Sequence, residues 1–131
     1  MKKFVIDTNL ILRLLLGDDE NQFVKSKRYF EKASKGNFKL IVFTQVIFEI
    51  IYVLEKFYKL SRNEISEKIL ILINLDYLKI EERDILNKVF NEYAKFGLSA
   101  VDIYLLHKCI QENLGLLSFD KKLMKEFKSR A

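Results

Sequence analysis

Four acidic residues, Asp7, Glu49, Asp102 and Asp120, stand where a carboxylate is conspicuous. Asp7 closes the apolar run Phe4, Val5, Ile6 and precedes Leu10, Ile11, Leu14 and Leu15, which have helical spacing. It therefore falls between the carboxyl end of a strand and the start of a helix. Asp120 repeats that arrangement after LLSF. Glu49 lies inside VIFEIIYVL, where every neighbour from Val46 to Leu54 is apolar. A helix apolar all round is buried or forms an interface, and an ionised carboxylate in it needs a cationic partner or a bound cation. Asp102 follows Ser99 by three positions, so SAVD matches a helix-start capping box. Each acid has an ordinary reading by itself: a helix cap for Asp7, a buried ion pair for Glu49, a capping box for Asp102. Taken together they suggest something else. Carboxylates gathered in one crevice repel each other and any phosphodiester, and a divalent cation resolves both problems. Hard oxygen ligands suit Mg²⁺ or Mn²⁺, so the chemistry indicated is metal-dependent phosphodiester hydrolysis.

Bringing these residues together calls for a parallel sheet, because in open α/β sheets ligands bind outside the carboxyl ends of the strands. After the first helix, a turn at Gly17, Asp18 and Asp19 leads to a helix over 20–35, ended by Gly36 and Asn37. Residues 39–43 read as a second strand, with Thr44 capping a helix that runs to about 57. Ser61 and Glu64 form a capping box for a helix ending near 74. A weaker strand at 77–80, helices over 83–96 and 100–113, a fourth strand at 116–119 and a helix over 121–128 complete the chain. Strands alternating with helices, without proline or a hairpin dipeptide, predict an α/β fold: a three-layer α/β/α sandwich with the first strand central. The expected strand order is third, second, first, fourth, with right-handed crossovers, which would place Asp7 and Asp120 in one crevice.

At 131 residues and 50% hydrophobic composition, residues 1–131 are expected to form a single domain with its own core. The apolar window around Glu49 is too short for a bilayer and the first 20 residues lack a signal-peptide pattern, so no membrane association and a cytoplasmic location are expected. One cysteine, Cys109, excludes an internal disulfide and reads as a small buried hydrophobe; one histidine, His107, leaves too few soft ligands for structural zinc. A net charge of +5 permits an anionic partner without requiring one. The 11 Phe and 6 Tyr are spaced as core residues and show no stacking motif for single-stranded RNA.

The segments FVIDTN, TQVIFEIIYVL, LSAVDIYLL and LLSFDKKL resemble the four acidic motifs of PIN-domain ribonucleases, in the same order across nearly the whole chain. The short single-domain form is similar to VapC-type toxins of toxin–antitoxin pairs. The resemblance implies that Asp7, Glu49, Asp102 and Asp120 are the acidic metal-site residues and that Thr8, Asn9 and Ser118 support them. It also implies Mg²⁺ or Mn²⁺ dependence, RNA as substrate with 5′-phosphate and 3′-hydroxyl products, frequent homodimers and inhibition by a cognate antitoxin protein. Two positions depart from the pattern. Ile103 stands where many relatives have a small residue, and Lys122 stands where many have a further acid, which weakens the case for a second tightly bound metal.

Lys121, Lys122 and Lys125 begin directly after Asp120, and Arg13 lies on the first helix. They are candidates for RNA phosphate contacts, set against a reading as solvated helix faces. The apolar content of 46–54 and 65–75 exceeds what one sheet face would cover, which predicts a homodimer or an antitoxin groove. Competing functions are a catalytically silent PIN-like binding module and a phosphoryl-transfer protein of receiver or haloacid-dehalogenase type. The dehalogenase type needs a second Asp where this chain has Asn9, and a receiver phosphorylates an Asp after the third strand.

Overall fold

The computed structural model describes all residues from Met1 to Ala131. Three short strands, β1 (Lys3–Val5), β2 (Lys39–Val42) and β3 (Leu78–Ile80), alternate with helices α1 (Thr8–Leu16), α2 (Glu20–Ser34), α3 (Thr44–Lys56), α4 (Arg62–Ile73), α5 (Arg83–Glu92), α6 (Ala100–Gln111) and α7 (Lys121–Arg130). The strands are parallel and ordered β1-β2-β3, with Phe4 beside Leu40 and Leu40 beside Leu78. This is a helix-rich α/β fold.

Register decides which sheet residues reach the core. Side chains alternate along a strand, so Leu40, Val42, Leu78 and Ile80 share one face, and all four are buried. They join Ile11 of α1, Ile47 and Ile50 of α3, Ile69 of α4, Phe90 of α5 and Leu106 of α6 in one continuous core. The other face carries the row Val5, Ile41 and Lys79, which is exposed, half-buried and exposed in turn. Cover is therefore heavier on one face of the sheet than on the other.

The expected fourth strand does not form. No backbone hydrogen bond ties residues 115–119 to β1, and Leu117 and Phe119 are 98% and 105% exposed; only Leu116 packs partly against the core. A four-residue run is too short for periodicity to separate a paired strand from an extended connection. As a result β1 is an edge strand and β2 is central, which corrects the expectation of a central first strand.

Local signals account for most helix boundaries. Asp7 and Asp19 accept hydrogen bonds from Leu10 N–H and Gln22 N–H at 3.0 Å each, and Ser61 and Glu64 form the full reciprocal capping box. Gly17 ends α1 in the left-handed conformation, its N–H bonded to Arg13 O. Thr44 does not cap α3. Phe43 occupies the cap position without a side-chain bond, and the Thr44 hydroxyl is drawn to Glu81 and Glu82 instead. Helix α5 stops at Glu92, short of the expected 96, where Arg62 takes over the carbonyls of the following turn. Its guanidinium stacks on Tyr93 at 3.9 Å and donates to Tyr93 O at 2.7 Å, to Phe96 O at 3.2 Å and to Leu98 O.

The apolar surplus of α3 and α4 is absorbed within the chain. Ile47, Ile50, Ile51, Leu54, Ile65, Ile69, Leu72 and Ile73 are all buried, leaving Tyr52 and Ile71 as the large exposed hydrophobic residues of the two helices. The surface argument for a homodimer thus loses its basis. No helix is long and apolar enough to cross a membrane.

Candidate active site at the carboxyl ends of the strands

Because the strands are parallel, the residues that follow them gather at one end of the sheet: Asp7 after β1, Thr44 after β2, and Glu81 and Glu82 after β3. Asp7 is exposed at the cap of α1, with Oδ1 accepting from Leu10 N–H. Its neighbour Thr8 is buried and donates its hydroxyl to Glu49 Oε2 at 2.8 Å, linking the turn after β1 to the second turn of α3. Glu49 is exposed, not buried as expected, and it forms no ion pair, which removes the buried salt bridge as the alternative reading of it. The run VIFEIIYVL is not apolar all round in space, because Glu49 and Tyr52, three positions apart, lie on the solvent side.

Asp102 is half-buried in the first turn of α6, its N–H bonded to Ser99 Oγ at 3.1 Å. Asp120 caps α7, accepting from Leu123 N–H at 2.9 Å, while its own N–H donates to Ser118 Oγ at 3.0 Å. The Lys122 ammonium lies against Gly97, so the start of α7 adjoins the loop that leads into α6. The structure thus links Asp7 to Glu49 through Thr8, and the Asp120 turn to the approach to Asp102 through Lys122. With β1 unpaired on its outer edge, no strand contact joins these two halves. No three acidic, histidine or cysteine side chains stand close enough together to ligate one ion. The donor set is nonetheless one of carboxylate oxygens, three of the four at helix starts, and its hardness fits a divalent cation of the Mg²⁺ or Mn²⁺ type.

Among the expected supporting residues, Thr8 and Ser118 make the bonds just described, whereas Asn9 is exposed and its side chain makes no hydrogen bond. Lys121, Lys122 and Lys125 are exposed and form no ion pairs. Arg13 is occupied. It pairs with Asp18 at 3.0 Å and donates to the Tyr58 hydroxyl at 3.1 Å, so it fixes the loop after α1 and is not free for a phosphate. His107 contacts Glu92 at 3.1 Å, and Arg130 pairs with the same carboxylate at 2.8 Å. Burial pushes the His107 imidazolium below its ordinary pKa despite the attraction of Glu92.

A second polar group was not anticipated. Glu82 binds Thr44, Tyr104 and Lys108 at the same end of the sheet. Burial raises the Glu82 pKa, but hydrogen bonds from Lys108, Tyr104 and Thr44 outweigh it and hold the carboxyl below its ordinary value. Burial and the adjoining Glu82 push the Tyr104 hydroxyl up to about 12. The signal available in sequence was the acidic pair directly after the third strand, in EERD; its partners lie far away in the chain.

Comparison with known proteins decides the family. A family model described as PIN domain matches residues 4–128. The chain belongs to the PIN-domain family. A VapC ribonuclease of Aquifex aeolicus (strain VF5) is 30% identical over 91 residues, covering 70% of this chain and 67% of that protein. The PIN match spans the segments that contain Asp7, Glu49, Asp102 and Asp120.

Proposed function

We propose that this PIN domain is an endoribonuclease that hydrolyses RNA phosphodiester bonds with a divalent cation, Mg²⁺ or Mn²⁺, held by Asp7, Glu49, Asp102 and Asp120. We further assign it as the toxin of a toxin–antitoxin pair, restrained by a cognate antitoxin protein. The observation that carries the reading is the PIN match over residues 4–128 combined with likeness to a VapC ribonuclease. The carboxylate chemistry of the four acids agrees with it.

When bound, a divalent cation supplies charge neutralisation at the phosphate and lowers the pKa of water. The chain's own groups have separate tasks. Thr8 holds one oxygen of Glu49 in place, and the first turn of α1 holds one oxygen of Asp7, leaving Asp7 Oδ2 without a protein donor. Ser118 fixes the backbone at Asp120. Lys121 and Lys122 stand next to Asp120 with unpaired ammonium groups suited to RNA phosphates. Metal-free cleavage through the 2′-hydroxyl would call for a pair of acid–base groups such as two histidines. The chain has only His107, which is engaged with Glu92. The PIN resemblance implies hydrolysis giving 5′-phosphate and 3′-hydroxyl ends.

The test is cleavage of single-stranded RNA by the purified chain in Mg²⁺ or Mn²⁺, with and without EDTA, beside Glu49→Gln. Cleavage should require the metal and be lost in the variant. Activity that survives EDTA, or products ending in 2′,3′-cyclic phosphate, would refute the proposal.

A further inference from the structure

We infer that Glu82 is a positioning residue that sets α3 against α6, the helices carrying Glu49 and Asp102. The inference rests on the assignment of those two acids to the active site. Glu82 occupies the cap position of α5, yet its side chain makes no cap bond there. Its carboxylate is directed to the neighbouring elements instead. Oε1 accepts from the Thr44 hydroxyl at 2.8 Å, the Tyr104 hydroxyl sits 2.7 and 2.9 Å from Oε1 and Oε2, and Oε2 pairs with Lys108 Nζ at 2.7 Å.

These partners belong to two helices. Thr44 is the first residue of α3, and Tyr104 and Lys108 lie one turn apart on α6. Glu81 reinforces the α3 side, since its carboxylate accepts the Thr44 N–H at 2.8 Å and its carbonyl the Thr44 hydroxyl at 3.2 Å. The two helices also meet directly, where Phe48 packs edge-on against Tyr104 at 5.2 Å. Phe48 precedes Glu49, and Tyr104 stands two residues beyond Asp102. A shift of α6 on α3 that broke the Glu82 bonds would therefore move one acid relative to the other. The backbone of Glu82 has φ 56°, a left-handed conformation unfavourable for a residue other than glycine. Bonds to three side chains on two other elements hold it there.

Clusters elsewhere carry less. The His107–Glu92–Arg130 group joins α5, α6 and the far end of α7, and the Arg13–Asp18–Tyr58 group closes a surface loop. The first meets α7 only at its last residue, Arg130, far from the Asp120 cap, and the second joins α1 to the loop beyond α3, so neither ties together the turns that carry two of the proposed acids.

The experiment uses the full chain and the variants Glu82→Gln and Tyr104→Phe. The first replaces the ion pair with Lys108 by a neutral amide, and the second removes one hydroxyl while keeping the ring on Phe48. Amide hydrogen exchange over the first turns of α3 and α6, and Mn²⁺ affinity read by the electron paramagnetic resonance of free Mn²⁺, are measured alongside cleavage. Both variants should accelerate exchange at these turns, weaken Mn²⁺ binding about tenfold and lower kcat more than they change KM, by analogy with groups that orient metal ligands elsewhere. Arg130→Gln, which breaks the remote pairs with Glu92 and Glu126, should leave Mn²⁺ affinity unchanged. Should Glu82→Gln fail to fold, Tyr104→Phe decides. Wild-type exchange and Mn²⁺ affinity in a folded variant would overturn the positioning role. Glu49→Gln and Asp102→Asn tell this apart from failure of the site assignment. If both bind Mn²⁺ as the wild type does, the assignment falls, and exchange alone decides whether Glu82 fixes the two helices.

Discussion

Asp7 is given two tasks that single substitutions can separate. As the cap of α1 its Oδ1 accepts the Leu10 N–H at 3.0 Å, and as a proposed metal ligand it contributes negative charge. Asparagine retains a side-chain oxygen for the cap and ranks with aspartate at this position, whereas alanine removes the bond at a cost of about 1 kcal/mol. For a chain of 131 residues the unfolding entropy near the transition is about 0.28 kcal/mol per kelvin, so Asp7→Ala should lower Tm by roughly 4 °C. Asp7→Asn forfeits only the attraction between a carboxylate and the helix dipole, a few tenths of a kcal/mol at an exposed position, or about 1–2 °C. Cleavage should behave differently. Both variants remove the charge, so both should lose activity to a similar extent although their stabilities differ.

The assays are thermal melting by circular dichroism and initial rates on single-stranded RNA in Mn²⁺. The order expected in Tm is wild type, then Asn, then Ala; in rate, wild type stands far above both variants. An Asn variant that cleaves at close to the wild-type rate would refute the ligand role. Activity that fell in step with Tm across the series would mean that Asp7 acts only as a cap.

Thr8→Val removes the hydroxyl that holds Glu49. Glu49 is exposed and can rehydrate, so the stability loss in chemical denaturation should be only about 1 kcal/mol, while cleavage falls well beyond that and Thr8→Ser restores it. His107 has a folded pKa below its unfolded value of 6.5, so its contribution to stability is complete above that value and is lost as pH falls through the folded pKa. Denaturation at about pH 5 and about pH 7.5 should show a larger acid loss in the wild type than in His107→Gln; equal losses would dismiss the buried imidazole as the cause. Replacing both Lys121 and Lys122 with Ala should weaken RNA binding and reduce the salt slope by about 1.4, two single-strand contacts' worth, whereas Arg13→Ala should lower Tm and leave the slope unchanged.

What could be read from the sequence is what adjacent residues decide among themselves. The Ser61–Glu64 capping box, the Asp7 cap, the Ser99–Asp102 turn and strands β2 and β3 are local patterns, and they appear close to where they were expected. Failures came where a distant partner decides. Thr44 has the chemistry of a cap but is claimed by Glu81 and Glu82, which lie 37 and 38 positions away. Arg62 ends α5 by binding carbonyls from 31 to 36 positions away. Glu49 looked buried because its neighbours are apolar, yet one solvent-facing stripe on α3 suffices to expose it. The fourth strand failed for a related reason. Its pairing depends on the edge of β1, about which the residues 116–119 carry no information.

The electrostatics of the four acids are compatible with the cation proposed for them. None of Asp7, Glu49, Asp102 and Asp120 takes part in the chain's ion pairs, which join Arg13 to Asp18, His107 and Arg130 to Glu92, Lys108 to Glu82 and Glu112, and Arg130 to Glu126. Three of the four sit instead at helix starts, where backbone N–H groups and the positive end of the helix dipole face them. A dipole stabilises a carboxylate without neutralising it: Asp7 and Asp120 each commit one oxygen to a backbone N–H and leave the other without a protein donor. A lysine or arginine in that role would have competed with any incoming metal and would have had to be displaced. Caps impose no such competition. The chain thus holds negative charge at these helix starts by a device that leaves it available, while Arg13, Lys108 and Arg130 serve as structural clamps and Lys121, Lys122 and Lys125 stand exposed and unpaired on α7.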